Sequence, residues 1–169
     1  MIERNAAGWK CGEAKPTLAI LTVRLMANLV KSKSTRATAL RALPTVVDAL
    51  SCVNSDDRVA AAACPMLQNL AFLALSEDRD ASSPEAKQAA LAAGTQCLAA
   101  CQSILASTGR DGVALAVSAA VGTLARCSSL RASVQGNRDL NDSLAKAGST
   151  HGGKVKECVE DIMTVLEAR

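Results

Sequence analysis

Apolar residues recur at intervals of three and four along most of this chain, which is the spacing of one buried helix face. The spacing predicts helices at 17–32, 35–42, 44–53, 55–75, 84–107, 112–128, 129–135 and 139–147. After two consecutive glycines one more apolar stripe follows, so the chain is expected to end in an amphipathic helix. The members of that stripe are Val155, Cys158, Val159, Ile162 and Leu166.

Prolines predict where two of these segments break or bend. Pro44 lacks an amide hydrogen and has a fixed φ, so it should separate a helix at 35–42 from another at 44–53. Pro65 lies inside the long helix that follows, and it predicts a kink near 61–64.

Polar clusters predict helix ends. Ser55, followed by two aspartates, can cap free amides at the start of the long helix. The polar run at 77–83 is expected to be a loop. Ser83, Pro84 and Glu85 then supply a cap, a proline at the first position and a first-turn acid, which together predict a new helix.

The order of the segments predicts the domain organisation. Residues 1–15 lack periodicity and are expected to be a linker or the remnant of a preceding repeat. Residues 16–169 alternate long apolar helices with shorter pairs, which is typical of an armadillo-like α-solenoid. The predicted fold class is therefore all-α.

Composition supports helices over strands. Of the 169 residues 49% are hydrophobic, mostly Ala, Leu and Val, with one Phe, one Trp and no Tyr. Ala and Leu are strong helix formers, whereas strands are enriched in aromatic and β-branched residues. No apolar run reaches the roughly 18 residues of a membrane span, and the first 20 residues lack a signal-peptide core, so no membrane association is expected.

Positive charge is concentrated in the first third of the chain. Residues 1–53 hold eight Lys and Arg against three Asp and Glu, although the whole chain has a formal net charge of only +3. A basic region without an aromatic platform suits an acidic peptide better than a single-stranded nucleic acid, whose bases stack on rings. A solvated charged surface is the commoner explanation of such a bias.

The seven cysteines predict core packing and a reducing compartment, the cytoplasm or the nucleus. Cys97 and Cys101 share one helix face, but structural zinc needs four ligands and no second cysteine pair lies near. His151, the one histidine, is expected in a glycine-rich loop, and it could form a thiol–imidazole dyad only with Cys158 on the apolar stripe. With no nucleotide-binding or zinc-protease motif either, we expect no catalytic residue, no metal and no cofactor.

The segment LTVRLMANLV, at 21–30, is the most informative in the chain. It is apolar almost all round, yet Arg24 and Asn28 lie one turn apart on one face, and Lys31 extends that face. A guanidinium is rarely buried without a partner, so this helix should lie mostly inside the protein and expose one polar stripe to a groove. A groove lined by inner helices indicates partner binding. The same residues could instead bond the ends of neighbouring helices.

Several segments resemble the PUL domain, an armadillo-like module of the phospholipase-activating-protein family. They are LTVRLMANLV with Arg24 and Asn28, MLQNLA around Asn69, AAVGTLA around Gly122, and KVKEC at 154–158. Their order agrees with the family over roughly 17–166. A full domain of this family has about six repeats, so the chain resembles its C-terminal two-thirds.

The resemblance implies a partner. Domains of this family dock the acidic C-terminal tail of a hexameric AAA ATPase, valosin-containing protein, in ubiquitin-dependent protein degradation and quality control, and they occur with thioredoxin-like, PPPDE or WD40 domains. Arg24 matches one arginine of the family's groove, but Ala116 stands where a second arginine is found. The expected peptide-binding residues are Arg24, Asn28, Lys31, Asn69, Arg110 and Arg126, the last two as substitutes for the missing arginine.

Two other functions remain open from the sequence. The chain could be a purely structural α-solenoid that packs against another domain of a larger protein and has lost peptide binding, and Ala116 favours this alternative. It could also be a cysteine hydrolase or a redox unit, which the inventory of residues opposes.

Overall fold

The computed structural model describes residues 16–53, 56–81 and 83–168, and these ranges contain eight helices and no strand. The helices are α1 (Pro16–Lys31), α2 (Lys33–Ser51), α3 (Asp57–Asp80), α4 (Pro84–Ser107), α5 (Asp111–Ala125), α6 (Ser128–Gly136), α7 (Arg138–His151) and α8 (Gly153–Glu167). The predicted all-α class is confirmed. The segment 1–15 and the cap expected from Ser55 lie outside the described residues.

Alternate helices stack side by side, so the fold has two layers. In the first layer α1 packs on α3, α3 on α5 and α5 on α8. In the second layer α2 packs on α4 and α4 on α7, while the short α6 lies against α4, α5 and α7. Each helix contacts its near neighbours in this regular order, as in the predicted armadillo-like α-solenoid.

Glycines and alanines allow the helices of the core to approach closely. A Cβ placed on Gly94 of α4 would lie 2.5 Å from Cδ1 of Leu130 and 3.1 Å from Cβ of Ala74. A Cβ on Gly122 of α5 would lie 3.2 Å from Cγ1 of Ile162, so α8 packs closely against the backbone there. The large side chains that fill the remaining space, and that are essentially inaccessible, include Met26, Met66, Leu67, Leu70, Leu124 and Leu140.

The predicted break at Pro44 is wrong, because α2 continues through it from Lys33 to Ser51. Proline inside a helix costs about 3 kcal/mol through the lost hydrogen bond and the clash with the preceding turn. Here the ring is exposed, while the residues on either side bury one continuous apolar face that offsets this cost. That face consists of Ala39, Ala42, Leu43, Val46, Val47, Ala49 and Leu50. α3 likewise runs without interruption through Pro65.

The predicted loop at 77–83 is also wrong over most of its length, because α3 extends to Asp80. Contacts from distant segments hold this last polar part of the helix. Glu77 forms an ion pair with Arg36 of α2, with Nη1 and Oε1 3.6 Å apart. The predicted start of the next helix is confirmed, since the Ser83 hydroxyl accepts a hydrogen bond from the amide of Ala86.

Asp78 joins α3 to α4 and α6. Its carboxylate accepts hydrogen bonds from the amide and hydroxyl of Ser128, at 2.8 and 2.7 Å, and from the hydroxyl of Ser129. The ammonium of Lys87 lies 3.1 Å from the same carboxylate, whose side chain is only 3% exposed. Burial alone would raise the pKa of Asp78, but the hydrogen bonds from Ser129, Ser128 and Lys87 outweigh it and hold the pKa well below its usual range. α3 thus provides the N-terminal cap of α6.

Two helices, α3 and α4, are long and apolar enough to cross a membrane on length and composition alone. About half of the apolar window of each, 56% in α3 and 50% in α4, is buried against the rest of the fold. Core helices of globular proteins meet the same test, so this is weak evidence for a membrane span.

Candidate protein-interaction surface

α1 exposes a face that is both polar and apolar. Arg24, Asn28 and Lys31 are exposed on it, while the opposite side of the helix packs into the core. Leu21, on the turn before Arg24, is 58% exposed, and Leu25 is exposed as well. The expectation of a purely polar stripe on a mostly buried helix is therefore wrong: the helix is amphipathic, and its open face includes leucines.

Asn69 connects α3 to this part of α1. Its side-chain amide donates a hydrogen bond to the carbonyl of Ala27, at 2.9 Å, and the side chain is half-buried. Ala27 directly precedes Asn28, so the structure brings Asn69 beside the predicted site. The bond also satisfies a backbone carbonyl, which is the structural role that the sequence left open.

Pairs of contacting residues show how the helices of the first layer are aligned. Ala27 is level with Asn69 through their hydrogen bond, and the Cys127 thiol donates to the carbonyl of Ala74, at 3.9 Å. The height of a residue follows from these two contacts by counting back along its helix at about 1.5 Å per residue. Arg24 on α1 and Ala116 on α5 are then at about the same height, with α3 between them. Ala116, the position where the resemblance leads us to expect a second arginine, is therefore about level with Arg24.

Arg110 and Arg126 lie at opposite ends of α5, about 24 Å apart along the helix at 1.5 Å per residue. Arg110 precedes the first turn, two turns from Ala116. Arg126 follows the last turn, and its Nη1 donates to the carbonyl of Gly122, at 2.9 Å. Neither therefore occupies the position of Ala116, although Arg126 is about level with Lys31.

Phe72 is a surface residue that the sequence interpretation did not single out. It is 68% exposed on α3, one turn beyond Gln68, which is exposed as well. In the described ranges every exposed large hydrophobic side chain lies on the first layer, and these are Leu18, Leu21, Leu25, Phe72 and Met163. The name Arg24 face is used below for the exposed residues Leu21, Arg24, Leu25, Asn28 and Lys31 of α1 and Gln68 and Phe72 of α3, together with the half-buried Asn69.

Five of the seven cysteines have the properties of packing residues, and Cys52, which is disulfide-bonded, is not among them. Cys64, Cys97, Cys101 and Cys127 are buried, as expected, and Cys158 is half-buried. Burial raises the pKa of Cys64 to about 11 and also raises the pKa of Cys127 and Cys158, while the hydrogen bond with Cys97, together with burial, raises the pKa of Cys101. Thiols of this kind are poor nucleophiles because the thiolate is the reactive form. Among the described residues no group of three or more His, Cys, Asp or Glu side chains could hold a metal ion.

His151 is not in a loop, as the glycines beside it suggested, but forms the last residue of α7. Its Nδ1 lies 2.7 Å from Oδ1 of Asp111, and its side chain is only 6% exposed. The imidazole therefore joins the end of α7 to the start of α5. The glycines act after the helix, where Gly152 and Gly153 adopt positive φ values of 61° and 44° between α7 and α8.

Fold and surface together define a class of protein: an α-solenoid of stacked helices whose first layer exposes a mixed basic and apolar face. The family comparison makes this specific. The pattern that defines the PUL domain matches residues 1–161, which is nearly the whole chain, and the chain belongs to the PUL domain family. PUL domains are protein-interaction modules and not a catalytic family, so this chain is expected to have protein partners. No curated protein and no solved structure matches the chain.

Proposed function

We propose that the Arg24 face binds the acidic C-terminal tail of the AAA ATPase valosin-containing protein. The domain would act as an adaptor in ubiquitin-dependent protein degradation or quality control, in the cytoplasm or the nucleus. The observation that carries the proposal is a basic surface on which Arg24, Asn28 and Lys31 are exposed beside Asn69 of the neighbouring helix.

The distribution of charge favours an acidic partner. α1 contains no Asp or Glu, and neither does α3 between Arg58 and Ser76 nor α5 between Gly112 and Ala125. In this part of the first layer the charged residues are Arg24 and Lys31 of α1, and the middle stretches of α3 and α5 carry no charge of either sign. A complementary potential of this kind speeds association with an acidic peptide and disfavours basic ones.

The exposed hydrophobic side chains support binding of a peptide rather than of an isolated anion. Leu21 of α1 and Phe72 of α3 are exposed and offer apolar contacts to the side chains of an extended segment. A charge-assisted hydrogen bond from Arg24 to a carboxylate would supply orientation.

The second candidate function is a purely structural α-solenoid that packs against another domain. Two observations favour it: Ala116 lacks the charge that the family pattern has at this position, and Leu18 and Leu25 are exposed on α1. A domain that covers these leucines would use the same helix without binding a peptide.

A peptide-binding measurement distinguishes the two candidate functions, binding of the ATPase tail and a purely structural role. The probe is a fluorescent peptide with the last ten residues of the host's ATPase, titrated with wild-type protein and with Arg24→Ala. We expect a dissociation constant in the micromolar range or weaker, and Arg24→Ala should raise it about tenfold or more because a charge-assisted contact is lost. Binding should weaken as salt is added, since exposed charges are screened.

The matched control is Arg138→Ala, which removes an exposed arginine from the second layer. It should leave the dissociation constant unchanged. Equal affinity of Arg24→Ala and wild type, or binding that does not depend on salt, would favour the structural solenoid.

A further inference from the structure

The second layer has an open seam between α2 and α4. Two cavities of about 480 and 150 Å³ lie in line along it. The larger is lined by Leu40, Arg41 and Pro44 of α2 with Ala89, Ala92 and Ala93 of α4. The smaller follows at Val47, Asp48, Ala99 and Ala100. We call this groove the α2–α4 seam.

The seam is almost free of charge. α4 has no charged residue from Gln88 to its end at Ser107, although Ala89, Ala92 and Ala99 are exposed. An exposed helix face without charge is unusual for a surface in contact with water, and depletion of charge is typical of the centre of protein interfaces.

The two charged residues that line the seam are Arg41 and Asp48, and both are exposed. They lie seven residues apart on α2, about 10 Å along one face of the helix. Within the part of the chain that the structure describes, neither forms an ion pair. The seam therefore carries one unpaired charge of each sign at a fixed separation.

We propose that the α2–α4 seam is the interface of a homodimer in which α2 of a second copy lies antiparallel in the seam. In a twofold interface residue i of one copy contacts residue j of the other, and j contacts i. Opposite charges two turns apart fit this symmetry, because Arg41 then faces Asp48 of the second copy and Asp48 faces its Arg41. The axis passes near Pro44, midway between the charges.

The residues beside the axis allow close contact. Ala37, Thr38, Pro44 and Thr45 are exposed on α2, and their short side chains let a second helix approach the seam. Pro44 also lacks an amide hydrogen, so it donates no hydrogen bond to the carbonyl of Leu40 one turn earlier. The Arg24 face lies on the other layer, so the dimer leaves it free.

Sedimentation velocity over a hundredfold range of concentration tests the interface. The apparent mass of the wild-type protein should rise with concentration from the 17.4 kDa of one chain toward twice that value. Arg41→Asp and Asp48→Arg should each weaken dimerisation at least tenfold, because each places like charges opposite one another in both halves of the interface. The control Lys154→Asp, on α8 in the first layer, should leave dimerisation unchanged.

Two combinations restore the pairing of opposite charges. The doubly substituted chain Arg41→Asp/Asp48→Arg should dimerise with itself, and an equimolar mixture of the two single variants should form a heterodimer. A wild-type chain that stays monomeric, or single variants that are not rescued by either combination, would overturn the proposal. Far-UV circular dichroism of each variant shows that it is folded before its mass is measured.

Discussion

Replacing Asp78 with Ala is expected to lower the free energy of unfolding by about 2–4 kcal/mol. The carboxylate is nearly inaccessible and accepts hydrogen bonds from Ser128 and Ser129 at the start of α6. Its loss leaves the first amides of α6 without a cap and the ammonium of Lys87 without its carboxylate. Chemical unfolding followed by circular dichroism measures the change.

The lowered pKa of Asp78 determines how its contribution to the free energy of unfolding depends on pH. Because its pKa is lowered in the folded state, its contribution is fully present above the unfolded pKa of about 4 and is lost as pH falls toward the folded value. The difference in unfolding free energy between wild type and Asp78→Asn should therefore shrink below about pH 4.

Asp80→Asn is the matched control, because Asp80 is the exposed last residue of the same helix. It should change the unfolding free energy by less than about 0.5 kcal/mol. A similar loss in both variants would show that charge near the end of α3, and not the cap of α6, is responsible.

Ala116→Arg is expected to tighten binding of the acidic ATPase tail about tenfold, because it adds a charge-assisted contact. Ala116 lies on α5 at about the height of Arg24 and is partly exposed, so a guanidinium there can reach the surface while its stem lies along the helix. Calorimetric titration of both proteins with the tail peptide measures the difference.

Ala145→Arg adds the same charge to an exposed site on α7 in the second layer. It should leave the affinity unchanged apart from a small effect of net charge. If Ala116→Arg binds no more tightly than Ala145→Arg, the tail does not pass across α5, and the proposed extension of the Arg24 face toward Ala116 is wrong.

Local sequence signals predicted most of the helices, and distant contacts explain the errors. The start of α4 followed from Ser83 and Pro84, whose capping chemistry acts within one turn. The run at 77–83 is polar and predicts a loop, but Glu77 and Asp78 have partners on α2, α4 and α6. Since those partners are remote in sequence, no local pattern reveals them.

For the same reason, the sequence predicted only part of the candidate surface. Arg24 and Asn28 stand out because they interrupt an apolar helix, and the structure exposes both. Phe72 lies among apolar neighbours in α3, so only its place in the 3.6-residue period, away from the buried stripe, could have shown that it is exposed. Arg110 and Arg126 are the predicted substitutes for the missing arginine, but they lie at the two ends of α5.

The most direct test of the proposed function is an NMR titration of isotope-labelled protein with the last ten residues of the host's ATPase. The proposal predicts shifts that depend on peptide concentration and are centred on Arg24, Asn28 and Phe72, with smaller shifts near Ala116. Resonances of the α2–α4 seam should not respond to the peptide at constant protein concentration. An absence of shifts at millimolar peptide, or shifts that centre on the seam, would contradict the assignment of the Arg24 face as the site that binds the tail.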